Sequence, residues 1–420
     1  MASRAENLGD GLMLRTVRDE DDVERCIAFH TANISASEGA ITERLLRFHP
    51  EMTWEDFQIV EDTASHEIAS TTCLIPWSCR FENVTLRVAM LEMVVTGLSY
   101  RKRGLIRRQV ERYHGMVAER GYDMSIIQGI PFYYRQFGYA YAVDHFVSDL
   151  LPSSRIPDEP GGVRPSFSLR PAALDDVREL SRLYEQANSM LQVTDLRSPE
   201  FWQYLLRHAP YPLHMLLGTR DCRPVGYLGL TKMSAKPGLR VNESGVCDYD
   251  SGIAALRLLK SQAEGGDIQM AWPRNNLLLR IARGLGTIEG LPYQWLLRIT
   301  DAAGLLRKLG PVFERRLERS AMAGWSGDLR LNFYREALRL RFEEGSLLAV
   351  DPIGFVDTSM GAPDPGDLRI PPDAFLRLFL GYRDLDQLRD AWPDTAFRSE
   401  LRPLLEVLFP RLEAFFYMRY

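Results

Sequence analysis

The residues of this chain best equipped for chemistry fall between Glu92 and Tyr139. Glu92 interrupts the apolar run Val88 to Thr96, and a basic loop, Arg101-Lys102-Arg103, follows and ends at Gly104. Leu105 and Ile106 then open an amphipathic stretch, and the segment Pro131-Phe-Tyr-Tyr134-Arg-Gln-Phe-Gly-Tyr139 closes the region. A β-branched strand that leads through a basic loop to a glycine at a helix start turns backbone N–H groups and the positive helix end outward, which makes a cradle for phosphate. Gly104 has no Cβ, so the backbone there can approach an anion closely, and Arg101, Lys102 and Arg103 add mobile positive charge.

The elements that must position these groups are legible around them. Ile106, Val110, Tyr113 and Val117 recur at helical spacing and predict a buried stripe, with Arg107, Arg108, Glu111 and Arg112 on the wet side and Gly121 as the stop. Met124 to Gln128 has the length of a short strand, and Pro131 suits the first position of a new short helix that sets two tyrosines over the strand end. Upstream, Leu14 to Val17 reads as a strand and Asp22 to Ala32 and Ile41 to Phe48 as helices. Gln58 to Glu61, Glu67 to Ile75 and Leu86 to Thr96 read as successive strands.

Arg101, Gly104 and Ile106, together with Tyr134, Phe137, Gly138 and Tyr139 one helix and one strand later, resemble the acetyl-CoA site of the GCN5-related N-acetyltransferases. The family pattern is Arg or Gln, two residues, Gly, one residue, then Gly or Ala, from which Ile106 departs. The Arg-x-Arg-Gly-Leu form and the Tyr-x-x-Phe-Gly-Tyr ending are similar to those of the enhanced intracellular survival (Eis) subgroup. The resemblance implies acetyl-CoA as co-substrate, a primary amine of a multi-amine small molecule or lysine as acceptor, and no metal. Arg101, Lys102, Arg103, Gly104, Leu105 and Ile106 would hold the pyrophosphate, and the backbone N–H groups of Val94, Val95 and Thr96 the thioester carbonyl and pantetheine. Tyr134 would protonate the departing thiolate, whose thiol has a pKa near 8.5. An alkyl ammonium, pKa about 10.4, must lose a proton before it attacks, and a carboxylate can take it. In Eis-type enzymes that is the chain-terminal carboxylate, which points to Tyr420; Glu92 is the second candidate, at a place where the subgroup tends to carry a small residue.

Composition narrows the alternatives. The 420 residues are 45% hydrophobic, enough for two or three domains with separate cores. With 56 acidic against 51 basic side chains and a pI near 5.9, a broad phosphate-tracking surface for nucleic acid is not expected. Met1 to Gly11 is polar, and nothing approaches 18 uninterrupted apolar residues, so a cytoplasmic protein with no membrane span is expected. Cys26, Cys73, Cys79, Cys222 and Cys247 form no C-x-x-C pair, which argues against disulfides and structural zinc.

Pro152 to Pro165 carries four prolines, two glycines and two serines and reads as a linker. Beyond it the pattern restarts: Phe167-Ser-Leu-Arg-Pro echoes Leu12 to Val17, Leu174 to Ala187 is helical, and Pro224 to Lys232 is a strand. Where a second phosphate loop should open its helix, Asp248 and Asp250 would repel pyrophosphate, so this copy, with the helix Gly252 to Ala263, is expected to be structural. Further on, Gln294 to Ile299 and Ala337 to Phe342 alternate as strands, and Ala302 to Leu309, Pro372 to Trp392 and Arg398 to Leu408 are helical, with Gly381-Tyr382-Arg383 as an interruption. The Arg298-Ile-Thr-Asp301 and Leu380-Gly-Tyr-Arg383 segments resemble the sterol-carrier-like (SCP2-like) domain that closes Eis-type enzymes, a statement about fold alone.

The expected architecture is therefore α+β. It comprises a catalytic acetyltransferase fold at 1–151, a linker at 152–165, a degenerate second copy at 166–288 and an SCP2-like domain at 289–420, with mixed, mostly antiparallel sheets. By resemblance the chain assembles as a homo-oligomer, a hexamer. The alternative function is a non-catalytic acyl-CoA or lipid-binding protein. The final residues, Ala414 to Tyr420, are aromatic and strand-forming; leaving each large side chain in water would forgo roughly 1.5 to 3 kcal/mol, so the tail should be docked.

Overall fold

A computed structural model describes residues 5–159, 166–233, 237–359 and 363–418. In chain order the first part contains β1 (Glu6–Gly9), β2 (Leu12–Thr16), α1 (Glu20–Asn33), α2 (Ala36–Phe48), β3 (Phe57–Asp62), β4 (Ile68–Phe81), β5 (Val84–Thr96), α3 (Leu105–Glu119), β6 (Met124–Ile127) and β7 (Ala140–Pro152). Next come β8 (Phe167–Pro171), α4 (Val177–Ala187), β9 (Val193–Asp195), α5 (Pro199–His208), β10 (Leu213–Gly218), β11 (Pro224–Lys232), β12 (Gly238–Ser244), α6 (Tyr249–Gln262), β13 (Asp267–Trp272) and α7 (Leu277–Gly284). The last part holds β14 (Tyr293–Ile299), α8 (Ala302–Lys308), α9 (Gly310–Glu318), β15 (Gly327–Asn332), β16 (Ala337–Glu343), β17 (Ser346–Gly354) and β18 (Leu368–Arg369). It ends with α10 (Pro372–Phe379), α11 (Leu385–Ala391), β19 (Ala396–Phe397), α12 (Arg402–Leu408) and β20 (Ala414–Phe415).

Helices and strands make an α+β fold with one 15-stranded and one 5-stranded sheet among the described residues. The larger runs β1-β2-β3-β4-β5-β6-β14-β7-β13-β12-β11-β10-β8. Two features of it were not foreseen. β7 pairs with β14 in its first half and with β13 from residue 147 to Pro152, so one strand joins the two halves of the sheet and ends where the stretch read as a linker begins. Ile156 is buried just beyond it, and residues 160–165 of that stretch lie outside the described residues. β14, far along the chain, inserts between β6 and β7 and is antiparallel to both.

Side-chain alternation along β5 builds two layers. Val88 and Met90 enter the largest cluster, with Val23 and Leu45 of α1 and α2 and with Leu306, Phe313 and Leu405 of the C-terminal helices. Ala89 and Leu91 face Val110, Tyr113 and Val117 of α3. Ile106 is only half-buried on that stripe, and Arg112, expected on the wet face, is half-buried too, donating to the Leu14 carbonyl at 3.3 Å. α3 lies chiefly over β4 and β5, and Arg112 reaches from it to β2.

Candidate active site

β5 and β6 run parallel through only three pairs, Val88 to Met90 against Met124 to Ile126. β5 then continues to Thr96 while β6 stops, which opens a crevice between them. A bulge shapes the free end: Cys73 of β4 faces Glu92 and Thr71 faces Val95, so Met93 and Val94 together oppose one residue, and Met93 takes φ +54°. Met93 packs into the α1 and α2 side and Val94 against the α3 side.

The basic loop follows. Lys102 and Gly104 adopt left-handed φ values of +65° and +76°, and Gly104 is the N-cap of α3. Aspartate or serine side chains cap α1, α2, α5 and α6 through Asp19, Ser35, Ser198 and Asp248, whereas nothing of the kind caps α3. Its first amides, and the positive end of its dipole, are open. A Cβ on Gly104 would meet nothing within 4 Å, so the glycine serves the backbone conformation and leaves clear space above the loop. Arg101, Lys102 and Arg103 are exposed, while Leu105 is buried with Leu12, Leu14 and Tyr100, so what Leu105 offers an anion is its N–H. A cavity of about 560 Å³, unforeseen from sequence, opens on the α1 side of this loop between Phe29, Ile68, Gly97 and Tyr100. Another, of about 400 Å³ between Pro157, Phe167 and Arg257, includes none of the site residues.

Tyr134 lies in a short 3-10 turn, Tyr133–Phe137, and is 5% exposed. Gly129, at the end of β6 with φ +46°, makes its position possible: a Cβ there would sit 2.5 Å from Tyr134 Cδ2 and 3.1 Å from Leu296 Cδ1. Burial first, and then the Glu92 carboxylate, push the Tyr134 phenol well above its ordinary range, which also brings Glu92 within electrostatic reach of it. Tyr139 below is fully packed; its hydroxyl meets Ser125 Oγ at 2.7 Å and His114 Nε2 at 3.2 Å, and Ser125 meets Tyr113, which donates to the Ala89 carbonyl. The His114 pKa falls to about 4, through burial and then Arg298.

Tyr420 lies outside the described residues, but the approach to it is visible. β20 pairs in parallel with β7 and β9, Phe415, Phe416 and Tyr417 are buried, and Trp295 Nε1 donates to the Phe416 carbonyl at 3.1 Å. Tyr417 N–H donates to Asp195 Oδ1 at 2.9 Å and its hydroxyl to Asn188 Oδ1 at 3.0 Å. Beneath it, Arg197 is wholly buried, 2.7 Å from Glu243 and 3.5 Å from Asp195, with its guanidinium 5.2 Å from the Tyr417 ring. Met418 Sδ is 3.3 Å from His145 Nε2; the His145 ring is 6.1 Å from that of Tyr293, whose hydroxyl donates to the Gln128 carbonyl at 3.0 Å and also to that of Gly129. Contacts thus run unbroken from the last described residue to the glycine under Tyr134.

In the second half, β12 and β13 also run parallel, from Gly238 to Val241, around α6. There Asp248 caps the helix, accepting from Ser251 N at 2.9 Å, so the chain's own carboxylate occupies a helix start of the kind that α3 leaves without a side-chain cap. Asp250 is exposed.

Residues 14–142 match the family described as Acetyltransferase (GNAT) domain. No curated protein matches the chain. Solved structures do. A probable N-acyltransferase of Enterococcus faecalis aligns with TM-score 0.73 at 13% identity, over 97% of this chain and 99% of that one. A GCN5-related N-acetyltransferase from Anabaena variabilis aligns with TM-score 0.70 at 14% identity, over 97% and 99%. Eis1 from Mycobacterium abscessus aligns with TM-score 0.62 at 14% identity, over 97% and 100%. The chain therefore carries an N-acetyltransferase domain of the GNAT family at residues 14–142, within a fold shared along nearly its whole length with these structures.

Proposed function

We propose that this protein is an acetyl-CoA-dependent N-acetyltransferase acting on a primary amine, of a multi-amine small molecule or of lysine, by direct attack. The observation that carries this is Tyr134, buried beside Gly129 just past the end of β6 with its phenol held protonated, in the same domain as the uncapped start of α3. The open amides of α3 and the loop from Arg101 to Ile106 take the pyrophosphate, and the N–H groups of Val94 to Thr96 the pantetheine and thioester carbonyl. As the amine nitrogen bonds to the carbonyl carbon and the C–S bond breaks, Tyr134 gives its proton to the thiolate, and a carboxylate takes the proton lost by the amine. That carboxylate is the one ending Tyr420, supported by the anchoring of residues 414–418, with Glu92 as the second candidate. The same reading divides the chain as 1–151, 152–165, 166–288 and 289–420, with an SCP2-like last domain, and makes it a cytoplasmic homo-oligomer.

Aminoglycosides, polyamines and lysine peptides, screened with acetyl-CoA and thiol detection, test the reaction; no thiol release with any of them would refute it. Adding two glycines after Tyr420 tests the base. Loss of activity with unchanged melting supports the terminus, whereas full activity there and loss in Glu92→Gln moves the role to Glu92.

A further inference from the structure

One buried polar chain has no part in the chemistry above. His30 of α1 is 0% exposed, and both ring nitrogens are engaged: Nε2 is 2.8 Å from Thr71 Oγ1 and Nδ1 is 2.7 Å from Thr42 Oγ1. Thr71 Oγ1 in turn donates to the Met93 carbonyl at 2.8 Å. A threonine hydroxyl has one proton, so Thr71, which spends it on Met93, must accept from His30 Nε2–H, while the Thr42 proton is shared between His30 Nδ1 and the Glu38 carbonyl, 2.9 Å away. The neutral Nε2–H tautomer gives Thr71 the donor it needs, in line with the fall of the His30 pKa to about 4 on burial. The chain has a direction, His30 to Thr71 to Met93, and it ends on the bulge.

The end point matters because a trans peptide is planar, with its C=O and N–H opposed. Thr71 draws the Met93 carbonyl towards β4, and the Val95 carbonyl lies 2.9 Å from Ser70 Oγ, whose one proton it shares with Gln109 Oε1 of α3 at 2.6 Å. The N–H groups of the next residues, Val94 and Thr96, therefore point away from β4, to the side where β6 has left the sheet. A donor on a peptide carbonyl also polarises that peptide and makes its N–H a stronger donor.

We propose that His30, acting through Thr71, is a positioning residue for acetyl transfer: it sets and polarises the Met93–Val94 peptide so that the Val94 N–H meets the thioester oxygen as negative charge grows on it. This rests on the acetyltransferase reading above. It gives the bulge a reason for its strained φ, since a regular strand would not turn the Met93 carbonyl onto a side-chain donor.

Thr71→Val keeps the β-branched shape and removes only the hydroxyl; Thr71→Ser restores it. Thr71→Val should lower kcat about tenfold to a hundredfold with little change in the KM for acetyl-CoA, and Thr71→Ser should recover most of it. His30→Leu should resemble Thr71→Val. Kcat within twofold of the parent in folded Thr71→Val, or an equal loss in Thr71→Ser, would overturn the proposal. A second readout needs no turnover: in valine-labelled protein, with Val94→Ala assigning the resonance, the Val94 amide should shift in Thr71→Val and return in Thr71→Ser. An unmoved amide refutes the positioning role even if the enzyme is active. A moved amide in a protein that acetylates nothing refutes the acetyltransferase reading and leaves the peptide's support standing.

Discussion

Tyr134 is where the chemistry is most exposed to test. Tyr134→Phe keeps the packing and removes the acid, so turnover should fall on the order of 10² to 10⁴ with acetyl-CoA affinity similar. An acid must be protonated to work, so activity is lost as pH rises through its pKa; because burial and Glu92 raise that pKa, kcat should show no tyrosine-like decline up to about pH 9.5. A falling limb centred below that would contradict the environment described. Gly129→Ala places a methyl where the Tyr134 ring lies, at a backbone angle that disfavours any side chain. Turnover should drop at least about tenfold, with a modest loss of melting temperature, as expected when an acid is displaced by about an ångström. Gly104 differs, since space above it is open. Gly104→Asp puts a negative charge beside the pyrophosphate, and calorimetry should show one acetyl-CoA site per parent chain and a much weakened one in the variant. Two equivalent sites in the parent would mean that Asp248 does not block the second helix start.

The tail and its cage act at the scale of elements. A fully buried Arg197 between Glu243 and Asp195 is stable only while all partners are present, and Tyr227 and Tyr211 also donate to Glu243. Arg197→Met should therefore cost about 3 to 5 kcal/mol, read from the denaturant midpoint, because two carboxylates lose their counter-charge. Tyr417→Phe removes only the bond to Asn188 and should cost about 1 kcal/mol. Faster hydrogen exchange confined to residues 414–418 in the milder variant would show that the cage holds the tail rather than the whole second half. Equal costs for the two substitutions would refute this account.

Across the whole molecule, two buried histidines and the half-buried His114 set the response to acid. Burial lowers the pKa values of His30 and His114 to about 4 and of His145 to about 3, against about 6.5 in an unfolded chain. Between those limits the unfolded chain binds more protons than the fold, so stability is full above pH 6.5 and falls as pH drops towards 4. Asp22 and Glu61 act with the same sign: burial raises them, but their bonds to Arg15 outweigh it and hold both below the usual carboxylate range. The unfolding free energy from denaturant titrations should thus fall from pH 7 to pH 5, by an amount on the order of a few kcal/mol. A flat profile would mean that the histidines are not held neutral.

Much of this protein is decided locally, and that part is readable in one dimension. Period-2 and period-3.6 patterns, the glycine and proline stops and the loop from Arg101 to Gly104 mark β5, α3, β6 and the Tyr134 turn, because each rests on contacts within a few residues. The acidic start of α6 was legible for the same reason, although its physical role proved to be a cap rather than a facing charge. Long-range packing decided the rest. No local signal makes β14 enter the first sheet, pairs β7 with both β14 and β13, or seats Arg197 under Tyr417. The three consecutive hydroxyls Ser70, Thr71 and Thr72 in an apolar strand hinted at a buried polar network, but the partners, His30, Gln109 and the bulge at Met93, lie 22 to 41 positions away. Side-chain hydrogen bonds across such separations depend on which strands become neighbours, and only the assembled sheet determines that.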